Sequence, residues 1–133
     1  MIDKICDEKD VVMVVDDDEA IEQAIGELIG HYGCVHASFT DPAKALNYYK
    51  ENVQRITILL TDLNMPSISG SGLIRGVSDI NPNLPIILLT GDDKEHVPDD
   101  IVPLVRHILR KPFNQRELLD TLRMELNKIG SRT

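Results

Sequence analysis

The sequence predicts an α/β fold with a parallel sheet covered by helices on both faces. Short apolar runs alternate about five times with segments that have the periodicity of amphipathic helices. Ligands bind outside the carboxyl ends of the strands in such sheets, so polar residues that follow the runs are expected to meet at one edge. The runs and their following residues are Val11–Val15 before Asp16, Ile56–Thr61 before Asp62, Ile86–Leu89 before Thr90 and, more weakly, Val105–Leu109 before Arg110-Lys111-Pro112.

Helices are predicted in the gaps between these runs. Asp18 is a possible N-cap of the first helix, and Asp41-Pro42 opens the second with a cap followed by proline at the first helical position. Gly33 separates the first helix from a short second strand, Cys34–Ser38, and the third helix follows a loop at 63–70. The buried faces of these helices comprise Ile21, Ala24, Ile25, Leu28 and Ile29; Ala45, Leu46 and Tyr49; and Leu73, Ile74, Val77 and Ile80.

The last two gaps differ in how well they suit a helix. The final helix opens at Asn114, with Glu117 in the capping-box position. The stretch 92–105 should also be helical by alternation, but it contains Pro98 and Pro103, and an interior proline costs about 3 kcal/mol. We therefore expect this helix to be short, distorted or partly replaced by loop. The buried face of the final helix comprises Leu118, Leu119, Leu122, Leu126 and Ile129.

The composition indicates one soluble domain. Of the 133 residues, 42% are hydrophobic and 27% are charged, and the net charge of −8 argues against direct binding to nucleic acid. No apolar run approaches the length of about 20 residues that a membrane span needs, and residues 1–10 lack the apolar core of a signal peptide. We expect a cytoplasmic protein with an N-terminal lead at 1–10, one domain at 11–129 and a tail at 130–133.

The two cysteines suggest neither a metal site nor a disulfide framework. Cys6 and Cys34 are too few for a disulfide framework and do not have the spacing of metal ligands. Cys34 lies in a predicted strand and is interpreted as a small buried hydrophobic residue.

Each polar motif has an ordinary explanation when it is taken singly. Asp16-Asp17-Asp18 could be helix caps and solvated acids, and Asp62 could belong to a turn. Thr90-Gly91 could be an ordinary strand end, and Lys111-Pro112 could be a solvated lysine before a rigid turn. The four motifs carry information because all occur in one chain, in order, each at the end of a predicted strand.

Together the motifs closely resemble the receiver domain of two-component response regulators over residues 11–126. The resemblance rests on Val14-Val15-Asp16-Asp17-Asp18-Glu19, on Leu60-Thr61-Asp62-Leu63-Asn64-Met65-Pro66 with Gly70, on Leu88-Leu89-Thr90-Gly91 and on Lys111-Pro112-Phe113. It implies a flavodoxin-like, doubly wound, five-stranded parallel sheet of order 2-1-3-4-5.

The resemblance implies a phosphorylated carboxylate beside a magnesium ion. Asp62 corresponds to the phosphoacceptor. Asp17 corresponds to a direct Mg²⁺ ligand and Asp16 to one that acts largely through water, with Asp62 and the backbone carbonyl of Asn64 completing the protein ligands. The three carboxylates carry −3, Lys111 reduces this to −2, and a dication brings the cluster to zero. We therefore expect the site to hold Mg²⁺ or to raise the pKa of a carboxyl group.

Other positions are implied to bind the phosphoryl group and to report on it. Lys111 would pair with Asp62, Thr90 would donate its hydroxyl, and the N–H groups of Gly91 and Asn64 would contact the phosphoryl oxygens. Thr90 would be coupled to position 108 in a conformational switch. The family usually has an aromatic residue there, whereas this chain has Ile108, with His107 beside it. That departure suggests a signalling face remodelled for a particular partner, and the rival explanation is loss of phosphate-dependent output.

The implied function is Mg²⁺-dependent transfer of a phosphoryl group to Asp62. The donor would be a phosphohistidine of a sensor histidine kinase or phosphotransfer protein, and an unknown output partner would read the change. The chain would be a monomer or weak homodimer that modifies itself and is not an enzyme with an external substrate. Two alternatives are a receiver-like scaffold that is never phosphorylated and a small Mg²⁺-dependent aspartyl phosphohydrolase. The phosphohydrolase alternative requires a second carboxylate at position 64 as the acid/base, and this chain has Asn64 there.

Overall fold

The computed structural model describes residues 4–63, 70–91 and 97–128. Over these ranges the chain forms five strands, four α-helices and one short 3-10 helix. In chain order they are β1 (Val11–Val15), α1 (Glu19–His31), β2 (Val35–Phe39), α2 (Pro42–Glu51), β3 (Ile56–Asp62), α3 (Gly70–Ile80), β4 (Ile86–Thr90), the 3-10 helix (Val102–Leu104), β5 (His107–Arg110) and α4 (Gln115–Lys128).

The five strands form one parallel sheet of order β2-β1-β3-β4-β5, which confirms the predicted fold class and strand order. Alternate residues of the central strands point to opposite faces, so each strand contributes to two cores. One core packs the sheet against α1 and α4, and the other packs it against α2 and α3. Both faces of the sheet are therefore covered, and its carboxyl edge remains open for a site.

The predicted helix caps are confirmed. The Asp18 carboxylate accepts a hydrogen bond from the Ala20 N–H at 3.0 Å, and Asp41 caps α2 in the same way at 2.9 Å. The Asn114 side chain accepts from the Glu117 N–H at 2.7 Å. These caps satisfy N–H groups that the helix itself cannot, and the first one starts α1 immediately after the acidic residues that follow β1. None of the helices in the described ranges has the length and apolar content needed to cross a lipid bilayer.

Several details differ from the sequence prediction. Helical periodicity predicts Ile80 on the buried face of α3, but it is 40% exposed because it lies in the last turn of the helix. β5 begins at His107 rather than 105. The Val105 N–H donates to the Val102 carbonyl in the 3-10 helix, and the first hydrogen bond to β4 runs from the Arg106 N–H to the Ile86 carbonyl. Between β4 and β5 the described residues contain only the 3-10 helix, as expected from the two prolines. Residues 92–96 and Ile129 lie outside the described ranges.

The interpretation of the cysteines was wrong. Cys6 and Cys34 form a disulfide across a sequence separation of 28. Both cysteines are buried with Ile5 in the core beside α1 and α4, so part of the expected N-terminal lead packs against the domain. Sequence spacing could not reveal this bond because the approach of the two residues depends on the tertiary return of the chain through β1 and α1.

Candidate functional site

The pairing of β1 with β3 brings the predicted acidic residues together. Val15 lies opposite Thr61, so Asp16 and Asp62 leave neighbouring strands side by side. One carboxylate oxygen from each of Asp16, Asp17 and Asp62 lies within 4.8 Å of the other two, the one such group of potential metal ligands among the described residues. An all-oxygen, anionic donor set is the kind that Mg²⁺ prefers. The residues present therefore fit a magnesium site.

The pairing of β4 with β5 adds a hydroxyl group and an amine to the same edge. Thr90 lies opposite Arg110, the residue before Lys111. Lys111 Nζ is 2.8 Å from Asp16 Oδ2 and 3.5 Å from Asp62 Oδ2, so the amine bridges two carboxylates. The resemblance implied Asp62 as the partner, but the closer contact is to Asp16.

Hydrogen bonds to the main chain hold both buried carboxylates in place. Asp16 is fully buried, and its Oδ1 accepts from the Asp18 N–H at 2.9 Å. Asp62 is 7% exposed, and its Oδ1 accepts from the Leu63 N–H at 2.8 Å. In each residue the other oxygen, Oδ2, is the one that contacts Lys111. The main chain thus directs Oδ2 of Asp62 toward the site.

The environment of Asp62 disfavours its charged form. The pKa of Asp62 is raised from an ordinary value of 3.8 to about 6, chiefly by burial and to a smaller extent by the charges of Asp16 and Asp17. The Lys111 ammonium and the Leu63 N–H oppose this rise but do not cancel it. At neutral pH the group is still mostly ionised and can act as a nucleophile.

Lys111 is held in its charged form. Burial lowers the pKa of the Lys111 amine, but the hydrogen bond to Asp16 and the charge of Asp62 outweigh this effect, so the pKa lies above its ordinary value. The site therefore contains a permanent cation next to the carboxylate that is predicted to react.

Thr90 provides an unsatisfied hydroxyl group at this edge. Its Oγ1 atom is buried and has no hydrogen-bond partner within the described structure. Thr61, which is equally buried, instead donates its hydroxyl to the carbonyl oxygen of Asp62 at 3.0 Å. A buried hydroxyl without a partner costs free energy. The Thr90 hydroxyl is therefore suited to donate a hydrogen bond to an oxygen atom of a ligand that binds at this edge.

Two glycines shape the space around Asp62. A Cβ atom at Gly70 would collide with the carbonyl oxygens of Asp62 and Leu63, so only glycine fits at the start of α3. A Cβ atom at Gly91 would meet no heavy atom within 4 Å, and this residue is exposed. Gly91 thus leaves open space beside Thr90. Asn64, the other predicted ligand of the metal and the phosphoryl group, lies outside the described residues.

The second predicted switch position, Ile108, lies on the surface of β5 and is 37% exposed. The neighbouring His107 has a partner that the sequence analysis missed, Glu125 of α4. His107 Nε2 lies 2.7 Å from Glu125 Oε2, and Glu125 is 1% exposed. Burial acts to raise the pKa of Glu125, but hydrogen bonds with His107 and Lys128 outweigh it, so the pKa lies below its ordinary value. The sequence did contain one signal of a buried polar contact: Glu125 is an acidic residue on the apolar face of the last helix.

The sequence profile of the response regulator receiver domain matches residues 12–123. The chain belongs to this family. Among similar proteins, the response regulator receiver protein CpdR of Brucella abortus is 28% identical over 84% of this chain and 92% of CpdR. The response regulator protein TodT of Pseudomonas putida is also 28% identical, over 90% of this chain but 52% of TodT. The receiver domain thus spans nearly all of one relative and about half of the other.

Solved structures show the same fold. A response regulator receiver domain protein from Clostridium thermocellum superposes with a TM-score of 0.80 at 26% identity, over 89% of this chain and 94% of that one. A CheY-like receiver domain protein from Methanospirillum hungatei superposes with a TM-score of 0.78 at 22% identity, over 90% of this chain and 96% of that one.

A similar segment also occurs in the sequence of a much larger protein. The autoinducer 1 sensor kinase/phosphatase LuxN of Vibrio harveyi is 26% identical over 94% of this chain but only 14% of LuxN.

Proposed function

We propose that this receiver domain accepts a phosphoryl group on Asp62 and changes its partner-binding surface in response. The observation that carries the proposal is the clustering of three carboxylates within 4.8 Å, with the Lys111 amine in contact with two of them. The buried, unpartnered hydroxyl of Thr90 supports it, because such a group is suited to a phosphoryl oxygen.

The residues that would hold Mg²⁺ are Asp16, Asp17 and Asp62, with the backbone carbonyl of Asn64 as the fourth predicted ligand. A bound magnesium ion would neutralise charge on the phosphoryl oxygens and lower the cost of gathering the carboxylates. Oδ2 of Asp62 is the candidate nucleophile, since Oδ1 is engaged by the Leu63 N–H.

The proposed transfer is a displacement at phosphorus. A carboxylate oxygen of Asp62 forms a bond to phosphorus as the P–N bond of a phosphohistidine breaks, and the histidine nitrogen keeps the electron pair. Lys111 and Thr90 then stabilise the added negative charge, the first as an ammonium and the second as a hydroxyl donor. Their rearrangement toward the phosphoryl group is the proposed origin of the signal on the face that includes Ile108.

The proposed partners follow from this chemistry. The donor is a sensor histidine kinase or a phosphotransfer protein, and an output partner reads the phosphorylated surface. The setting is cytoplasmic, and the domain catalyses its own phosphorylation and dephosphorylation without turning over another substrate. The names of TodT and LuxN place similar segments in a response regulator and in a sensor kinase/phosphatase, respectively.

Incubation with acetyl phosphate tests the proposal. With Mg²⁺ the protein is expected to gain about 80 Da, the mass of one phosphoryl group, and the gain should be lost on chelation and in Asp62→Asn. Asp100→Asn, which changes an exposed carboxylate of similar chemistry, is the matched control and should retain the adduct.

The other outcomes point to the alternatives. No adduct on the wild-type protein under any condition would contradict the proposal and favour a scaffold. Continuous hydrolysis of phosphate monoesters with many turnovers per chain would favour a phosphohydrolase.

A further inference from the structure

The Cys6–Cys34 disulfide joins a segment outside the sheet to the body of the domain. The N-terminal segment, residues 4–10, precedes β1, and Cys34 immediately precedes β2. The Ile5 N–H donates to the Tyr32 carbonyl at 2.9 Å, and the Cys34 N–H donates to the Ile29 carbonyl at 3.0 Å. The disulfide therefore attaches the N-terminal segment to the chain reversal that follows α1.

Docking of this segment completes one end of the core beside α1 and α4. Ile5, Cys6 and Cys34 are each no more than 9% exposed and belong to the same apolar cluster as Ile29 and Leu126. Undocking would therefore open this apolar cluster, and without the disulfide the segment would be held only by packing and by the hydrogen bond from the Ile5 N–H.

The disulfide is buried beside the protein surface, where local opening of the N-terminal segment would admit small thiols. Cys6 lines a surface groove of about 320 Å³ together with Lys4, Ile5, Asp7, Glu8 and Asn127. Disulfides at the end of a chain segment that can open locally are more readily exchanged than those deep in a core. In an intracellular setting, a cysteine pair placed for bonding is more often redox-responsive than permanent.

We propose that Cys6 and Cys34 form a reversible redox clasp that controls docking of the N-terminal segment. In the closing reaction, one cysteine attacks a low-molecular-weight disulfide such as oxidised glutathione, which gives a mixed disulfide and releases one glutathione. The second cysteine then attacks the mixed disulfide, forms the Cys6–Cys34 bond and releases the other glutathione. The two cysteine thiols lose two protons and two electrons, and oxidised glutathione leaves as two molecules of glutathione. The reverse reaction, with glutathione as reductant, opens the clasp.

The clasp lies at the opposite end of β1 from the acidic site. The N-terminal segment enters the five residues of β1 at one end, and Asp16 leaves them at the other, about 16 Å away. Opening the clasp is expected to change the stability and exposure of the N-terminal segment while the Asp62 chemistry persists. The two proposals can therefore fail independently.

The test is equilibration of the unmodified full chain in buffers with different ratios of glutathione to oxidised glutathione. Maleimide labelling should show that both thiols titrate together. The midpoint ratio of glutathione to oxidised glutathione should be the same whether the protein starts oxidised or reduced. Oxidation should raise the melting temperature by about 10 °C. It should also slow amide hydrogen exchange in residues 4–10 by about tenfold or more. Cys6→Ala and Cys34→Ala cannot form the clasp, so hydrogen exchange in residues 4–10 of both variants should stay as fast as in the reduced protein at every ratio.

Three results would overturn the proposal. The thiols could stay reactive even in excess oxidised glutathione, which would mean that no bond forms. The bond could persist in the folded protein in excess glutathione, which would make it a permanent structural bridge. Hydrogen exchange in residues 4–10 could be the same in both states, which would mean that the bond does not control docking. All three measurements use the wild-type chain, so they remain decisive even if a cysteine variant fails to fold.

Discussion

Asp62→Asn is expected to stabilise the magnesium-free protein by about 2 to 3 kcal/mol at pH 7.5. The pKa of Asp62 rises from 3.8 to about 6 on folding, chiefly because of burial, and each unit is worth about 1.4 kcal/mol. The folded state therefore binds more protons at this carboxyl than the unfolded state between pH 4 and pH 6. The free energy of unfolding falls as the pH rises through that window, and the loss persists above it.

Asparagine has the same shape and keeps an oxygen for the Leu63 N–H, but it has no charge to bury. Urea unfolding in the presence of a chelator should show the full gain at pH 7.5 and little gain near pH 4, where the wild-type carboxyl is largely protonated in the folded state. Asp100→Asn is the control, because the hydrogen bond from Arg75 lowers the pKa of Asp100, so this change should give no gain. Equal stability of Asp62→Asn and wild type at pH 7.5 would contradict the described environment.

Gly70→Ala is expected to destabilise the domain by about 3 kcal/mol and to slow phosphorylation. The new Cβ atom would collide with the carbonyl oxygens of Asp62 and Leu63, which are backbone atoms and cannot rotate away. Either α3 must move outward or the chain after β3 must shift, and the second response would displace the Asp62 carboxylate. Urea unfolding and the initial rate of adduct formation with acetyl phosphate measure the two effects.

Gly76→Ala is the matched control for this substitution because it lies in the same helix. The Cβ atom at position 76 would meet the methyl groups of Leu46 at 2.9 to 3.0 Å, and that flexible side chain can turn away. Alanine also favours a helix over glycine by up to about 1 kcal/mol. Gly76→Ala should therefore be near neutral in stability and normal in phosphorylation rate. A similar loss of stability and phosphorylation rate in both variants would contradict the proposed effect of the contact between Gly70 and the Asp62 and Leu63 carbonyls.

The sheet and the helix starts could be predicted because local rules and tertiary packing agree there. Buried parallel strands such as β3 and β4 have continuous apolar sequences, and Asp18 and Asp41 cap helices through contacts within three residues. The prediction failed where position in the fold decides the outcome. Ile80 has helical periodicity with the α3 core residues but lies in the last turn, where it is exposed. The Cys6–Cys34 bond depends on the return of the chain through β1 and α1, which no local pattern encodes.

The gathering of the site residues could be predicted in outline but not in its contacts. Carboxylates, hydroxyl and amine meet because they follow adjacent parallel strands, which is a consequence of topology alone. The closer contact of Lys111 with Asp16 than with Asp62 depends on side-chain conformations, which the strand order does not specify. The inward position of Glu125 against His107 depends on how α4 is rotated against β5.

Calorimetric titration with Mg²⁺ at pH 7.5 tests most directly whether Asp16, Asp17 and Asp62 act as one cation site. One ion should bind per chain, and Asp17→Asn and Asp62→Asn should each weaken binding by about tenfold or more, because each removes a charged ligand from the cluster. Asp18→Asn should change the affinity by less than about twofold, since Asp18 lies outside the cluster and asparagine also caps helices. Equal affinities in Asp17→Asn and Asp18→Asn, or undiminished binding in Asp62→Asn, would contradict the account.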